Sequence, residues 1–246
     1  MPEAPAARER GSRAVAAVRD GDRLRRVTTS RRPVSGRLFA HDRSLGVARV
    51  AGADEAGRGC LAGPLVAAAV CLDLGRMSRS ARLLLTDLDD SKRLAPDTRQ
   101  RLAAAILRVA DQVVVVSAAA TVIDRDGLHV TNLRLLGDAL RGLEPAPEVC
   151  LVDGFHLGPA APPHRRIVGG DRRSACIAAA SVVAKATRDR LMAGPVADRY
   201  PLFGFPAHVG YATPAHRDAI RAHGPTPLHR LSFASAAFAD HRVLTP

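Results

Sequence analysis

The sequence predicts an α/β domain whose mixed central sheet is flanked by helices and followed by a C-terminal helical segment. Three observations carry that expectation. Two strand-like segments come first, separated by a glycine-rich turn. Segments of helical periodicity then alternate with β-branched or apolar runs, and the last strand signal gives way to a long alanine-rich helix.

Residues 1–45 show no sustained periodicity and carry Gly11, Gly21, Pro33 and Gly36 among many arginines, so they are expected to form a basic, largely disordered tail with a short helix at 14–19. Segments 47–53 and 64–72 predict the two strands of a hairpin turning at Gly57, Gly59 and Gly63. A helix is expected at 80–85 and another from Pro96, a favoured first helical residue, to Ala110. The β-branched run 112–118 reads as a strand, and 121–143 as helical with a break at Gly127. Residues 149–153 form a strand ending in Asp-Gly, and 165–168 a further short one. Residues 174–192 give the long helix, and Thr213-Pro214 opens a last helix through Arg221. The folded domain is thus expected to span 46–240.

Composition narrows the function classes. The chain has 246 residues, 47% of them hydrophobic, but only 3% aromatic and without Trp, so its core must be packed from Ala, Val and Leu. The longest apolar run, 61–72, is too short to cross a bilayer, and no signal-peptide pattern opens the chain. Cys60, Cys71, Cys150 and Cys176 are scattered without a CxxC pair, which argues against a zinc site or a disulfide framework and suits a reducing cytoplasm. The formal charge is +12; residues 1–49 hold 12 Arg against 5 acids, a net of +7 that leaves +5 for the rest. A basic surplus favours polyanions through counterion release. GC-rich codons favour the same Arg and Ala, so the charge is a weak vote for nucleic acid.

Chemistry is concentrated in four carboxylates. Asp54 and Glu55 end an apolar strand and enter the glycine-rich turn; adjacent carboxylates at a buried strand end repel, and a divalent cation is the simplest compensation. Regular strands send neighbours to opposite faces, so this pair converges only where the strand ends or bulges. Asp153 ends a strand before Gly154, and Asp171 precedes the long helix. Singly these read as a solvated turn, an Asp-Gly turn and an acid favoured by the helix dipole. Together Asp54, Glu55, Asp153 and Asp171 form an all-oxygen set with no His/Cys cluster, which selects Mg2+ or Mn2+ over zinc and matches the machinery of phosphodiester hydrolysis. Asp189 lies four residues after Lys185 and is explained by an ion pair. His156, His208 and His229 are read as loop or surface histidines without a catalytic role.

Five runs in chain order carry a closer likeness: Gly52-Ala53-Asp54-Glu55-Ala56-Gly57-Arg58-Gly59 with Leu61-Ala62-Gly63-Pro64; Asp90-Ser91-Lys92-Arg93-Leu94; Val152-Asp153-Gly154; residues 177–185 with Arg188-Asp189; and Gly210-Tyr211-Ala212-Thr213 leading to His229-Arg230. Jointly they resemble the ribonuclease HII family over roughly 47–235. The resemblance implies a ribonuclease H-like fold. It also implies a Mn2+- or Mg2+-dependent endonuclease that cuts RNA in RNA–DNA hybrids and 5′ to ribonucleotides embedded in duplex DNA, leaving 3′-hydroxyl and 5′-phosphate ends.

By position, the resemblance makes Asp54, Glu55, Asp153 and Asp171 the metal-binding acids. It makes Gly57, Arg58 and Gly59, with Tyr211, the reader of the ribonucleotide 2′-hydroxyl, the group that separates RNA from DNA. Ser91, Lys92, Lys185 and Arg188 are expected to contact phosphates. Cys60 after the turn and the Gly169-Gly170 pair before Asp171 depart from the family pattern without removing a functional group. Three rivals are weaker. Ribonuclease HIII carries a folded N-terminal domain unlike this tail. A non-catalytic nucleic-acid binder would not keep four acids facing phosphate. A Rossmann-type binder needs a third glycine that the Gly57–Gly59 turn lacks. A monomer is the expected state.

Overall fold

The computed structural model describes residues 34–89, 91, 94–233 and 238. The helix expected at 14–19 and Lys92 lie outside them. Strands β1 (Arg49–Ala56), β2 (Leu65–Asp73), β3 (Gln112–Ala118), β4 (Val149–Asp153) and β5 (Arg165–Ile167) form one sheet in the order β3-β2-β1-β4-β5. β1 and β2 are the expected antiparallel hairpin, and β3 extends it antiparallel; β4 and β5 add in parallel on the other side of β1. The sheet is therefore mixed, with β1 at its centre.

Alternation along β1 divides the core in two. Val50 belongs to an apolar cluster with helix α6 (Ala175–Ala193), α3 (Pro96–Val109) and Leu38 and Phe39 of α1 (Val34–Arg43), whereas Ala51 and Ala53 belong to a cluster with α5 (Leu128–Arg141). The small residues foreseen from composition are what allow close layers. A Cβ on Gly52 would stand 2.2 Å from the backbone carbonyl carbon of Cys176, so α6 lies directly on β1 and only glycine fits there. Two caps fix the N-terminus of α6: the Ser174 hydroxyl accepts from the Ile177 amide at 3.2 Å, and the buried Asp42 carboxylate accepts from the Cys176 amide at 2.9 Å. Such caps contribute about 1 kcal/mol each.

The remaining helices are α2 (Arg79–Leu84), α4 (Ala120–Asp126), α7 (Pro195–Arg199), α8 (Phe205–His208) and α9 (Pro214–His223). α4 and α5 form the helical stretch expected at 121–143, with the expected break at Gly127, whose φ is +83°. α7 to α9, Leu61 and Met192 enclose a third, C-terminal apolar cluster containing Phe203, Phe205 and Phe238. α1 corrects the tail expectation at its end. Its apolar Leu38 and Phe39 are buried and its Asp42 caps α6, so residues 34–43 belong to the folded unit despite their arginine-rich surroundings.

Candidate active site

β1 does not stop at Asp54. It remains paired with β2 through Glu55↔Ala67 and Ala56↔Val66, so the Asp-Glu pair lies within a regular strand and not at its end, as the sequence had implied. Neighbours in such a strand leave from opposite faces. Asp54 shares the α6 face with Val50 and Gly52, and Glu55 starts from the α5 face with Ala51 and Ala53. The parallel register Ala53↔Val152 sets Asp153 beside Asp54 on the adjoining strand.

This placement disfavours the charged form of Asp54. Burial first, then the carboxylates of Glu55 and Asp153, push its carboxyl well above the usual carboxylate range. Hydrogen bonds from the Ser181 side chain and from the Glu55 amide, at 2.7 Å, oppose that rise. Ser181 in turn meets the Ser91 hydroxyl at 2.8 Å, and both hydroxyls are buried. With Ser181 donating to the carboxylate, Ser91 donates to Ser181. Arg99 holds this segment from behind: Nε donates to the Ser91 carbonyl and Nη2 to the Leu94 carbonyl, at 2.9 and 2.8 Å. Neither Ser181 nor Arg99 was singled out from sequence, because serine in an alanine-rich helix and arginine on an amphipathic one carry no signal of their own.

Asp153 accepts from the Gly170 amide at 2.6 Å, which brings the short 3-10 helix Gly170–Arg172, and hence buried Asp171, next to β4. Asp54 and Asp153 are thus neighbours on the α6 side of adjoining strands, Glu55 leaves from the other face, and Asp171 follows the residue whose amide holds Asp153. Among the described residues no three His, Cys, Asp or Glu side chains converge as a ready-made ligand cluster. The donor set still fits a divalent cation by chemistry: every candidate atom is a carboxylate oxygen, and the mutual repulsion that raises Asp54 is the cost a cation offsets.

A cavity of about 200 Å3 opens beside these acids, lined by Glu55, Gly57, Arg58, Gly59, Ser91, Ser181, Lys185 and Tyr211 among others. Arg58 spans from Glu55, 3.8 Å from Oε1, to the ring of Phe155, 4.7 Å from its centroid. The Tyr211 hydroxyl is hydrogen-bonded to the Cys60 sulfur; burial and that thiol raise its pKa, and the residue is 38% exposed. Lys185 pairs with Asp189 at 2.7 Å and lies 5.3 Å from the Tyr211 ring centroid, while Arg99 holds the other oxygen of Asp189 at 2.9 Å.

Two expectations are corrected. Arg188 is fully buried: Nε donates to the Pro64 carbonyl, Nη1 to Val209 and Nη2 to Ala62, at 2.9, 2.8 and 2.9 Å. Its donors are spent on backbone, so it braces the loops around the cavity and does not face phosphate. Buried Arg230 does the same work, giving Nη1 to the Gly57 carbonyl at 2.7 Å and Nη2 to Gly63 at 2.8 Å. Burial lowers the Arg230 pKa to about 10. His208 and His229 are not surface residues either; both are buried with His216 beneath Tyr211.

Comparison with known proteins agrees with this geometry. A profile described as Ribonuclease HII matches residues 51–236. The ribonuclease HII of Rhodococcus opacus (strain B4) is 46% identical over 198 residues, covering 80% of this chain and 85% of that protein. Among solved structures, ribonuclease H2 from Pyrococcus horikoshii OT3 superposes with a TM-score of 0.62 at 25% identity, over 76% of this chain and 94% of that one. Bst-RNase HIII in complex with Mn2+ shares the fold, with a TM-score of 0.56 at 22% identity over 79% and 70% of the two chains. The profile match over most of the described domain, with a relative of this identity and coverage, shows that the chain belongs to the ribonuclease HII family.

Proposed function

We propose that the chain hydrolyses RNA endonucleolytically within RNA–DNA hybrids and cuts 5′ to ribonucleotides embedded in duplex DNA, leaving 3′-hydroxyl and 5′-phosphate ends. One observation carries this reading. The Gly57–Gly59 turn and Tyr211, which come from distant parts of the chain, line a single cavity with Glu55 and Ser181, and Ser181 is bonded to the buried Asp54. At Gly59, where a Cβ would meet nothing, the turn leaves room for a sugar to approach the backbone, and a half-exposed tyrosine offers a ring to stack under it.

Asp54, Glu55, Asp153 and Asp171 would hold the divalent cation on which the family depends, Mn2+ or Mg2+ by their oxygen chemistry. When bound, it supplies neutralisation of phosphate charge and activation of water. The chain's own residues do the positioning. Ser181 and the Glu55 amide orient the Asp54 carboxylate, and Asp189 holds the Lys185 ammonium at the cavity wall, where it can meet a phosphate. Ser91 acts through Ser181, so its assignment shifts from phosphate contact towards orientation of Asp54.

Four buried, free cysteines support a reducing cytoplasmic setting, and no helix among the described residues is long and apolar enough to cross a membrane. Action as a monomer on nucleic acid is part of the same proposal. The test is an end-labelled DNA duplex carrying one ribonucleotide, incubated with Mn2+, with Mg2+ and with chelator. Cleavage 5′ to the ribonucleotide, dependent on the cation and abolished in Asp54→Asn, is the expected result. Cation-independent cleavage, or full turnover by Asp54→Asn, refutes the reading.

A further inference from the structure

Beneath the Tyr211 loop lie three buried histidines that the hydrolysis described above does not use. Their hydrogen bonds leave each ring one protonation state. His229 Nδ1 faces the Thr226 amide at 2.8 Å, and an amide only donates, so Nδ1 carries no proton and the proton of the neutral ring sits on Nε2. That Nε2–H points at His216 Nε2, 3.2 Å away, which must therefore accept. The His216 proton is left on Nδ1, 2.9 Å from the Tyr211 carbonyl, to which it donates. His208 stacks on His216 with centroids 4.5 Å apart; its Nδ1 accepts from the Gly210 amide at 3.2 Å and its Nε2 donates to the Phe203 carbonyl at 2.8 Å. The outcome is a one-directional chain from Thr226 through His229 and His216 to the backbone of Tyr211.

The chain ends where position matters most. Tyr211 is at the cavity mouth, and its neighbour Val209 adopts φ +43°, a conformation that a β-branched residue holds only under constraint. Arg188 constrains the loop from the α6 side through the Val209 carbonyl, and the histidines constrain it from below.

We infer that His216 and His229, as a neutral hydrogen-bonded pair, are positioning residues that fix the Tyr211 backbone and so hold its ring in register with the Gly57–Gly59 turn. This rests on the reading of Tyr211 as a junction contact. They touch no reacting atom; their effect passes through Tyr211.

The test measures steady-state cleavage of the single-ribonucleotide duplex by the full-length protein and its variants Tyr211→Ala, His216→Phe and His216→Asn. Phe keeps the ring and loses both bonds; Asn places an amide near Nδ1 and can still donate to the Tyr211 carbonyl. One hydrogen bond's worth of misplacement predicts KM raised about fivefold in His216→Phe with kcat within about twofold, and most of the loss recovered in His216→Asn. A merely structural role would lower thermal stability and the active fraction, hence kcat, without moving KM. Wild-type KM in folded His216→Phe overturns the inference while an impaired Tyr211→Ala leaves the site reading intact; an unimpaired Tyr211→Ala ends both. Should His216→Phe fail to fold, histidine-selective 15N spectra of the wild type at neutral pH decide. Nε2–H for His229 and Nδ1–H for His216 are expected, and the opposite tautomers or a charged ring in either position defeat the proposal.

Discussion

The guanidinium of Arg188 fills the space that a side chain on Gly57 would need: a Cβ there would stand 2.1 Å from Arg188 Nε. Gly57 also has φ +98°, a region that L side chains rarely adopt. Turn and brace are thus one unit, with Arg230 Nη1 holding the Gly57 carbonyl from the other side. Gly57→Ala should destabilise the fold by about 3 kcal/mol, combining backbone strain with overpacking. Chemical denaturation measures it. Because the two residues touch, adding Arg188→Met to Gly57→Ala should cost less than the two single changes together, by about 1 kcal/mol.

Arg188 itself separates a brace from a phosphate contact. Arg188→Ala leaves the Ala62, Pro64 and Val209 carbonyls without their donor, a loss of about 3 kcal/mol of stability for a buried charged network. Binding of the folded variant should keep the wild-type salt dependence, since no phosphate contact is removed. Lys185→Ala should do the reverse: little loss of stability, and a slope of log K against log salt shallower by about 1. A shallower slope in Arg188→Ala would restore its phosphate assignment.

Ser181 offers a third discrimination. Its hydroxyl supports the Asp54 carboxylate and receives the Ser91 hydroxyl. Ser181→Ala removes the support and leaves Ser91 without that partner, which should cost about 1 kcal/mol of stability. Turnover should fall about tenfold with KM nearly unchanged, because orientation of a reacting-site carboxylate is felt in the transition state. A change confined to KM would place Ser181 on substrate instead.

How far the sequence could be read follows from what each residue's signal depends on. Residues 112–118 and 149–153 needed only local patterning, and both strands have those bounds. Residues 34–43 were hidden because only Leu38 and Phe39 mark the buried face among polar neighbours, and the purpose of Asp42 becomes visible only with α6 above it. The acids were legible as residue types. That Asp54 and Glu55 leave opposite faces of an unbroken strand depended on β2 continuing to pair as far as Val66, a fact of register. Arg188 misled for a related reason, and Arg230 shares its role. Arginine in a nucleic-acid enzyme suggests phosphate, and only burial shows a brace, three backbone carbonyls being held by Arg188 and three, those of Gly57, Arg58 and Gly63, by Arg230. The histidines could have been caught by noting that His208, His216 and His229 bracket one helix, but their directed bonding is a property of the packed structure.

Those histidines also make stability depend on acidity. Burial above all lowers the pKa of His216 and of His229 from 6.5 to about 4. In the unfolded chain both rings take up protons near pH 6.5; in the folded one they resist until about pH 4. Between those values the unfolded state binds more protons, so stability is fully present above about pH 6.5 and is lost as pH falls, by roughly 1.4 kcal/mol per pH unit for each ring. Asp54 works in the opposite sense, because a carboxyl raised by folding takes up its proton first in the folded state. The wild-type curve alone therefore mixes the two. The difference between wild type and His229→Gln reads the contribution that depends on His229, since Asp54 is common to both. Urea unfolding at pH 7.5, 6 and 5 should show the wild type losing stability more steeply than the variant. Parallel curves across that range would mean that His229 is already charged in the folded protein, or that its environment is wet enough to leave it unperturbed.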